Sequence, residues 1–279
     1  MTMQALNETD YEKKFIDAGG IRTCYIEAGS GEPLILIHGG GAGANGYGNW
    51  YSCLPLFARH FRTIAIDMLG FGQTDSPDPA SFEYTHHTRI SHVAAFIRAM
   101  GLNRASLVGN SMGGATSLGV AVEHPQLVGK LVLMGAAAIR TPMSEALQPV
   151  VGYDYTREGM RRLIDLLTND DFEITQQMID YRYAASIDPK NKASYTATMA
   201  WVRQQGGLYY AEDFIARVSQ NTLVVNGKND LIIPMSSAYR LLELIEHSWG
   251  YILPHCGHWA MIEHPEDFST TVTNFVLNH

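Results

Sequence analysis

The sequence predicts a doubly wound α/β fold, with a mostly parallel sheet and one inserted helical lid. Three observations carry this. Short apolar runs alternate with longer stretches of helical spacing, the runs are continuously apolar, and the rhythm breaks only once, from Ala136 to Gln220. Continuous apolar strands belong to a sheet covered on both faces. Strand–helix alternation builds βα units and a parallel sheet.

Taken in order, residues 21–28 predict part of an antiparallel hairpin at one sheet edge. Buried strands are predicted at 34–37, 63–66, 105–108, 130–134, 222–225 and 249–253. Helices are predicted at 50–60, 88–100, 112–123, 236–245 and 265–277, with His86-His87 as a polar loop start and 96–100 as core. Within the break, 156–167 has helical spacing, with Met160, Leu163, Ile164 and Leu167 on one face. Residues 178–185 form a second lid helix. Asp188-Pro189 reads as an N-cap followed by Pro at the first helical position. That helix runs to about Gln205, where Gly206-Gly207 supplies a stop. The domain reading is a core over 1–139, a helical lid over 140–208 and the rest of the core over 209–279. The lid aromatics Tyr153, Tyr155, Tyr183, Trp201, Tyr209 and Tyr210 face either the core or a ligand.

Composition excludes several classes. The chain has 279 residues, 46% hydrophobic and 17% charged, enough to bury a sizeable core. A net charge of −8 argues against nucleic acid as a partner, since phosphate binding needs a basic patch. It leaves room for an anionic small molecule held by one local Arg. Three cysteines, Cys24, Cys53 and Cys256, are too few for a disulfide scaffold and fit a reducing cytoplasm. The first ten residues carry acids and lack the apolar stretch of a signal peptide. No apolar run reaches the ~18 residues a spanning helix needs, so no membrane partner is expected.

The strongest local signal is Gly109-Asn110-Ser111-Met112-Gly113, which follows one predicted strand and opens a predicted helix. This is a nucleophile elbow in its required context. The turn is so tight that residues two before and two after the serine must lack side chains. The serine backbone is strained by about 1–3 kcal/mol, which lifts the hydroxyl clear of the sheet. A serine hydroxyl is a weak nucleophile and needs a base, which in turn needs an orienting acid. Asp230 and His258 each lie just past a predicted strand, where open α/β sheets build their sites. The glycine run from His38 to Gly48 lets backbone N–H groups approach a developing oxyanion, and Met112 supplies a second N–H. One such donor is worth about 3–4 kcal/mol in a transition state.

Two rival readings are weaker. Gly41-Ala-Gly-Ala-Asn-Gly46 fits a dinucleotide fingerprint with Asp67 downstream. Yet the run is too glycine-rich to open a helix at Gly46, the helix is predicted to start near Trp50, and a dinucleotide leaves the elbow, Asp230 and His258 unexplained. His255 and His258 flanking Cys256 suggest a metal, but without a second ligand pair.

With those residues in place, the chain resembles the α/β-hydrolase superfamily over nearly its full length. More narrowly, it resembles the meta-cleavage product hydrolases, which split carbon–carbon bonds in aromatic catabolism. The resemblance rests on His38-Gly-Gly-Gly-Ala-Gly43, Asp67-Met-Leu-Gly-Phe-Gly72, the elbow with its Asn110, and Gly257-His258-Trp259-Ala260. It is nearest to members acting on ring-opened carbazole, dibenzofuran or biphenyl metabolites. It implies an α/β-hydrolase fold, a 2-hydroxy-6-oxo-6-arylhexa-2,4-dienoate substrate, no metal, no cofactor, and a homo-oligomer. It implies Ser111 as nucleophile or water activator, His258 as acid/base and Asp230 as its orienter. Gly40 and Met112 become the oxyanion donors, with Gly41 close by. Asn49 and Asn110 would hydrogen-bond the dienol and carboxylate end, Arg182 would bind the carboxylate, and Trp259 would pack beside the substrate. A carboxylesterase of the same fold and a non-catalytic ligand receptor remain alternatives. Haloalkane dehalogenases and epoxide hydrolases carry Asp where Ser111 stands, which disfavours them.

Overall fold

The computed structural model describes residue 6 and residues 10–141 and 152–279. The start of the chain read for a signal peptide, and residues 142–151 of the predicted lid, lie outside the described residues. Eight strands form one sheet in the order β1-β2-β4-β3-β5-β6-β7-β8. They are β1 (Lys14–Asp17), β2 (Arg22–Ala28), β3 (Pro33–Ile37), β4 (Arg62–Ile66), β5 (Ala105–Asn110), β6 (Val128–Met134), β7 (Thr222–Gly227) and β8 (Ser248–Leu253). β1 and β2 pair antiparallel at one edge, and β2 joins β4 antiparallel. The remaining pairs, from β4 through β8, are parallel. Leu34, Ile35, Leu36 and Ile37 are fully buried, as a sheet covered on both faces requires.

Helices cover both faces. On one side lie α1 (Gly46–Trp50), α2 (Leu54–Phe57), α10 (Ala260–Glu263) and α11 (Pro265–Asn278). On the other lie α3 (His86–Ala99), α4 (Met112–Glu123), α8 (Glu212–Ile215) and α9 (Met235–Leu244). The chain leaves β3 for β4 on one side and returns to β5 on the other. The loops after β3 and β5 therefore open a crevice at their carboxyl ends, where doubly wound sheets bind ligands. Between β6 and β7 come α5 (Arg157–Leu167), α6 (Gln176–Ile187) and α7 (Pro189–Gln205), and no strand appears among the described residues there. Thr156 caps α5, Asp188 caps α7 through the N–H groups of Lys190 and Asn191, and Gly206 ends α7 at φ 74°.

Besides β8, whose predicted burial over 249–253 gives way to an edge strand with Trp249 39% exposed, two expectations are corrected. The helix predicted at 50–60 is two short helices, and the first opens at Gly46. Asn45 caps it by accepting the Gly48 N–H at 2.6 Å, and Asp67 accepts the Gly46 N–H at 2.7 Å. The helix-start argument against a dinucleotide site therefore fails. Asp67 itself tells against that site, because its carboxylate is held by the backbone N–H groups of Gly46 and Gln73. The second correction concerns His86. It is the first residue of α3, after a Thr85–Thr88 capping box, not a loop residue. Its ring stacks on Tyr210 (centroids 4.6 Å apart) and meets Trp201 edge-on. The aromatics come from the distant 189–210 segment, so local polarity could not reveal the burial.

Two buried histidines fix the loop after β4. His38 Nδ1–H donates to the Gly39 carbonyl at 2.6 Å, and Nε2 accepts the Met68 N–H at 2.9 Å. His92 Nδ1 accepts the Leu69 N–H at 3.3 Å, and Nε2–H donates to Thr23 Oγ1 at 2.8 Å. Each ring must be neutral, since protonation removes its acceptor. Burial pushes both down to about 4, opposed at His38 by the Gly39 carbonyl. The unfolded chain, with histidines near 6.5, binds protons first as pH falls. Stability is therefore lost on acidification from about 6.5 towards about 4, by roughly 2–3 kcal/mol per histidine. Thermal unfolding at pH 5.0 is expected at least about 5 °C below that at pH 7.5. A transition temperature that stays flat or rises over that interval contradicts the neutral-histidine assignment.

Candidate active site

Ser111 joins β5 to α4 at φ 55° and ψ −118°, in the region that L residues avoid. The elbow leaves no room beside it: a Cβ on Gly109 would meet the Gly113 carbonyl, and one on Gly113 the Ile37 carbonyl. The Ser111 N–H donates to Met134 O at 3.0 Å, and its own carbonyl accepts Ala115 and Ala137 N–H groups, so the strained turn is fixed from three sides. The Met112 N–H, first in α4, has no intrahelical acceptor. Gly40 lies against Met112, where a Cβ would stand 2.8 Å from Met112 Sδ.

Asp230 follows β7 and His258 follows β8. His258 Nδ1–H donates to Asp230 Oδ2 at 2.8 Å, with side chains 2% and 0% exposed. Asp230 Oδ1 accepts the N–H groups of Ile232 and Ile233, both at 2.8 Å. One carboxylate oxygen thus holds its own turn and the other holds the imidazole. With Nδ1–H engaged, Nε2 is the acceptor nitrogen of the neutral ring.

Ser111, Met112, His258, Trp259, Gly40, Gly41, Asn49, Asn110 and Arg182 all line one cavity. Asp230 stands behind His258, off the cavity wall. The structure therefore brings all ten predicted positions to one place. Asn49 and Asn110 also bond to each other. Arg182 Nη1–H donates to Asn49 Oδ1 at 3.3 Å, and Asn49 Nδ2–H to Asn110 Oδ1 at 3.4 Å. Asn110 Nδ2–H in turn donates to the Met134 and His258 carbonyls, at 3.3 and 3.4 Å. A polar chain thus runs from α6 to the backbone of His258.

Arg182 is 3% exposed, on α6, and its guanidinium lies 4.5 Å over the Trp259 ring. Tyr181, the residue before it, donates to Asn45 Oδ1 at 3.1 Å and seats α6 on the glycine loop. No carboxylate among the described residues pairs with Arg182, and its Nε has no partner. Burial pulls the guanidinium down to about 10, which leaves it cationic near neutral pH. A buried cation without a counter-charge is unfavourable unless something anionic joins it.

The rest of the cavity is apolar. Ile139, Leu167, Met199, Val202, Leu208 and Ile233 line it, all but Ile233 from the segment between β6 and β7. Nothing in the local sequence marks which lid residues face inward. Ile232 and Ile233, two and three residues after Asp230, line the cavity from the loop after β7. Of the six lid aromatics, Tyr209 alone reaches the cavity. Tyr210 packs on α4 by donating to the Ala115 carbonyl at 2.9 Å. Among the described residues no three His, Cys, Asp or Glu side chains gather as a metal site. None of their helices is long and apolar enough to cross a membrane.

A serine at a strained elbow and an aspartate-held imidazole on the rim of one cavity define a hydrolase class. The α/β hydrolase fold family model matches residues 32–265. A 2-hydroxy-6-oxo-6-(2'-aminophenyl)hexa-2,4-dienoic acid hydrolase of Metapseudomonas resinovorans is 54% identical, over 97% of this chain and 92% of its own. A serine hydrolase involved in carbazole degradation superposes with TM-score 0.90 at 52% identity, covering 96% and 100% of the two chains. A Pseudomonas fluorescens IP01 meta-cleavage product hydrolase, solved as a mutant complexed with acetates, gives TM-score 0.88 at 34% identity, covering 94% and 96%. The chain belongs to the α/β-hydrolase fold family and, within it, to the meta-cleavage product hydrolases.

Proposed function

We propose that this enzyme hydrolyses the C5–C6 bond of 2-hydroxy-6-oxo-6-arylhexa-2,4-dienoates. The products are an aromatic acid and 2-hydroxypenta-2,4-dienoate. The observation that carries this reading is Arg182, a buried cation with no carboxylate partner among the described residues, at the polar end of a cavity that also holds Ser111 and His258. An acid-ended substrate supplies the missing charge, and a guanidinium takes a carboxylate in bidentate fashion. The relatives named above support the aryl-dienoate class.

In this reading the C1 carboxylate sits on Arg182, near Asn49. The aryl group lies among Ile139, Val202 and Leu208, and C6 lies at Ser111. Carbon–carbon cleavage needs an electron sink, so the dienol first becomes a ketone. His258 Nε2 takes up the C2 hydroxyl proton and delivers it to C5, and the freed Nε2 then takes the proton of the attacking hydroxyl. Ser111, or water that it orients, then attacks C6, and the Gly40 and Met112 N–H groups hold the oxyanion. The C5–C6 pair moves into the conjugated C2 ketone as the bond parts, and one water is consumed overall. Asp230 keeps the imidazole in its tautomer throughout.

The insertion over 140–208 serves as the lid of this site. The enzyme acts as a cytoplasmic homo-oligomer, and needs neither metal nor cofactor. With the 6-phenyl dienoate, aromatic acid and hydroxypentadienoate are expected in equal amounts by chromatography. Efficiency is expected to exceed that on nitrophenyl acetate by about 10²-fold, because the ester lacks the carboxylate that Arg182 binds. Rapid ester hydrolysis with the dienoate left intact makes the enzyme a carboxylesterase instead.

A further inference from the structure

Glu263 closes α10, five residues after His258, and nothing in the proposed reaction uses it. The loop from Pro254 to Trp259 carries His258 but belongs to no helix or strand, so its backbone N–H groups need other acceptors. Glu263 supplies them. Its Oε1 accepts Trp259 N–H at 3.1 Å, and both oxygens accept Gly257 N–H, at 3.1 and 3.0 Å. These two amides flank His258 on either side. Oε2 also accepts the N–H of Asn169 at 2.7 Å, two residues past the end of α5. His258 N–H donates to Leu167 O at 3.0 Å, and Leu167 lines the cavity.

A second, independent feature ties the same segments. Gly257 packs directly on the insertion, where a Cβ would stand 2.7 Å from Thr168 C and 2.9 Å from Asn169 N. Loop and lid base thus form one unit. Burial pushes the Glu263 carboxyl up, while its backbone N–H donors pull it down. Three N–H donors on one carboxylate are the charge-assisted bonds that lock geometry most firmly.

We propose that Glu263 is a positioning residue for the imidazole. It clamps the backbone on both sides of His258 and fastens it to the base of the lid, so Nδ1–H stays on Asp230 while Nε2 faces the substrate. This rests on His258 being the acid/base.

Glu263→Gln tests it. The amide keeps the shape but offers one oxygen, and its NH2 group faces an N–H whichever way it turns. A displaced imidazole is expected to lower kcat about tenfold or more, with KM within about threefold. The low-field proton resonance of the His258 Nδ1–H bond is expected to shift or broaden. Glu263→Asp keeps the charge but shortens the reach, and its kcat is expected between wild type and Gln. Should the Gln variant not fold, the Asp variant decides by the same two readouts. Wild-type kcat with an unmoved resonance in the folded variants overturns the proposal. His258→Ala separates the two readings. If it is active, the acid/base assignment fails. If it is inactive while the Glu263 variants match wild type, only the positioning role fails.

Discussion

Ser111→Ala is expected to lower kcat on the dienoate by about 10³-fold or more while leaving substrate binding within a few fold. The backbone is held at φ 55°, and small residues on either side let the turn approach the sheet. The strain makes a second outcome measurable. Ser111→Gly removes the same hydroxyl but tolerates the positive φ, so it is expected to be as inactive as the Ala variant and about 1 kcal/mol more stable than it. Loss of dienolate absorbance in single turnovers and thermal unfolding of both variants check the pair. Substantial turnover by either variant removes Ser111 from the reaction. Equal stability of the two contradicts a strained elbow.

Arg182→Met is expected to reduce kcat/KM by about 10²-fold, the size of one well-formed charge-assisted pair. The side chain is 3% exposed, lies over Trp259, and reaches Asn49 at 3.3 Å. In the free enzyme it is a buried cation lacking a carboxylate among the described residues, with Nε unsatisfied. A structural ion pair would lose stability on truncation. Here the fold without substrate is expected to be at least as stable with Met, because the desolvation of the cation is relieved. Lost efficiency with unchanged or raised stability marks a ligand-binding cation. Efficiency within about threefold of wild type refutes the carboxylate role.

Much of this site is legible because backbone geometry writes itself into local sequence. The elbow needs small residues at fixed offsets from Ser111. Asp230 follows the fully buried run of β7, and His258 follows β8, an edge strand legible from Tyr251-Ile252-Leu253. Arg182 is picked out only by its place within Ile179-Asp180-Tyr181-Arg182-Tyr183 and by the carboxylate that the resemblance implies. Packing between distant segments is not legible. The helix at Gly46 depends on Asp67, at the end of the neighbouring strand, accepting its first N–H. His86 reads as polar because the rings that enclose it lie more than a hundred residues later. Glu263 carries no signal in the sequence, since the backbone amides it accepts leave no trace there. The apolar cavity wall is hidden for the same reason: each of the inserted helices carries several apolar residues, and only the docking of α5, α6 and α7 decides which face inward.

The most direct measurement is a crystal structure of the Ser111→Ala enzyme soaked with a 6-aryl dienoate. The carboxylate is expected on the Arg182 guanidinium, C6 against the position vacated by the hydroxyl, its oxygen towards the Gly40 and Met112 N–H groups, and the ring among Ile139, Val202 and Leu208. A substrate bound the other way round, with its carboxylate away from Arg182 and C6 out of reach of His258, would contradict the proposed chemistry.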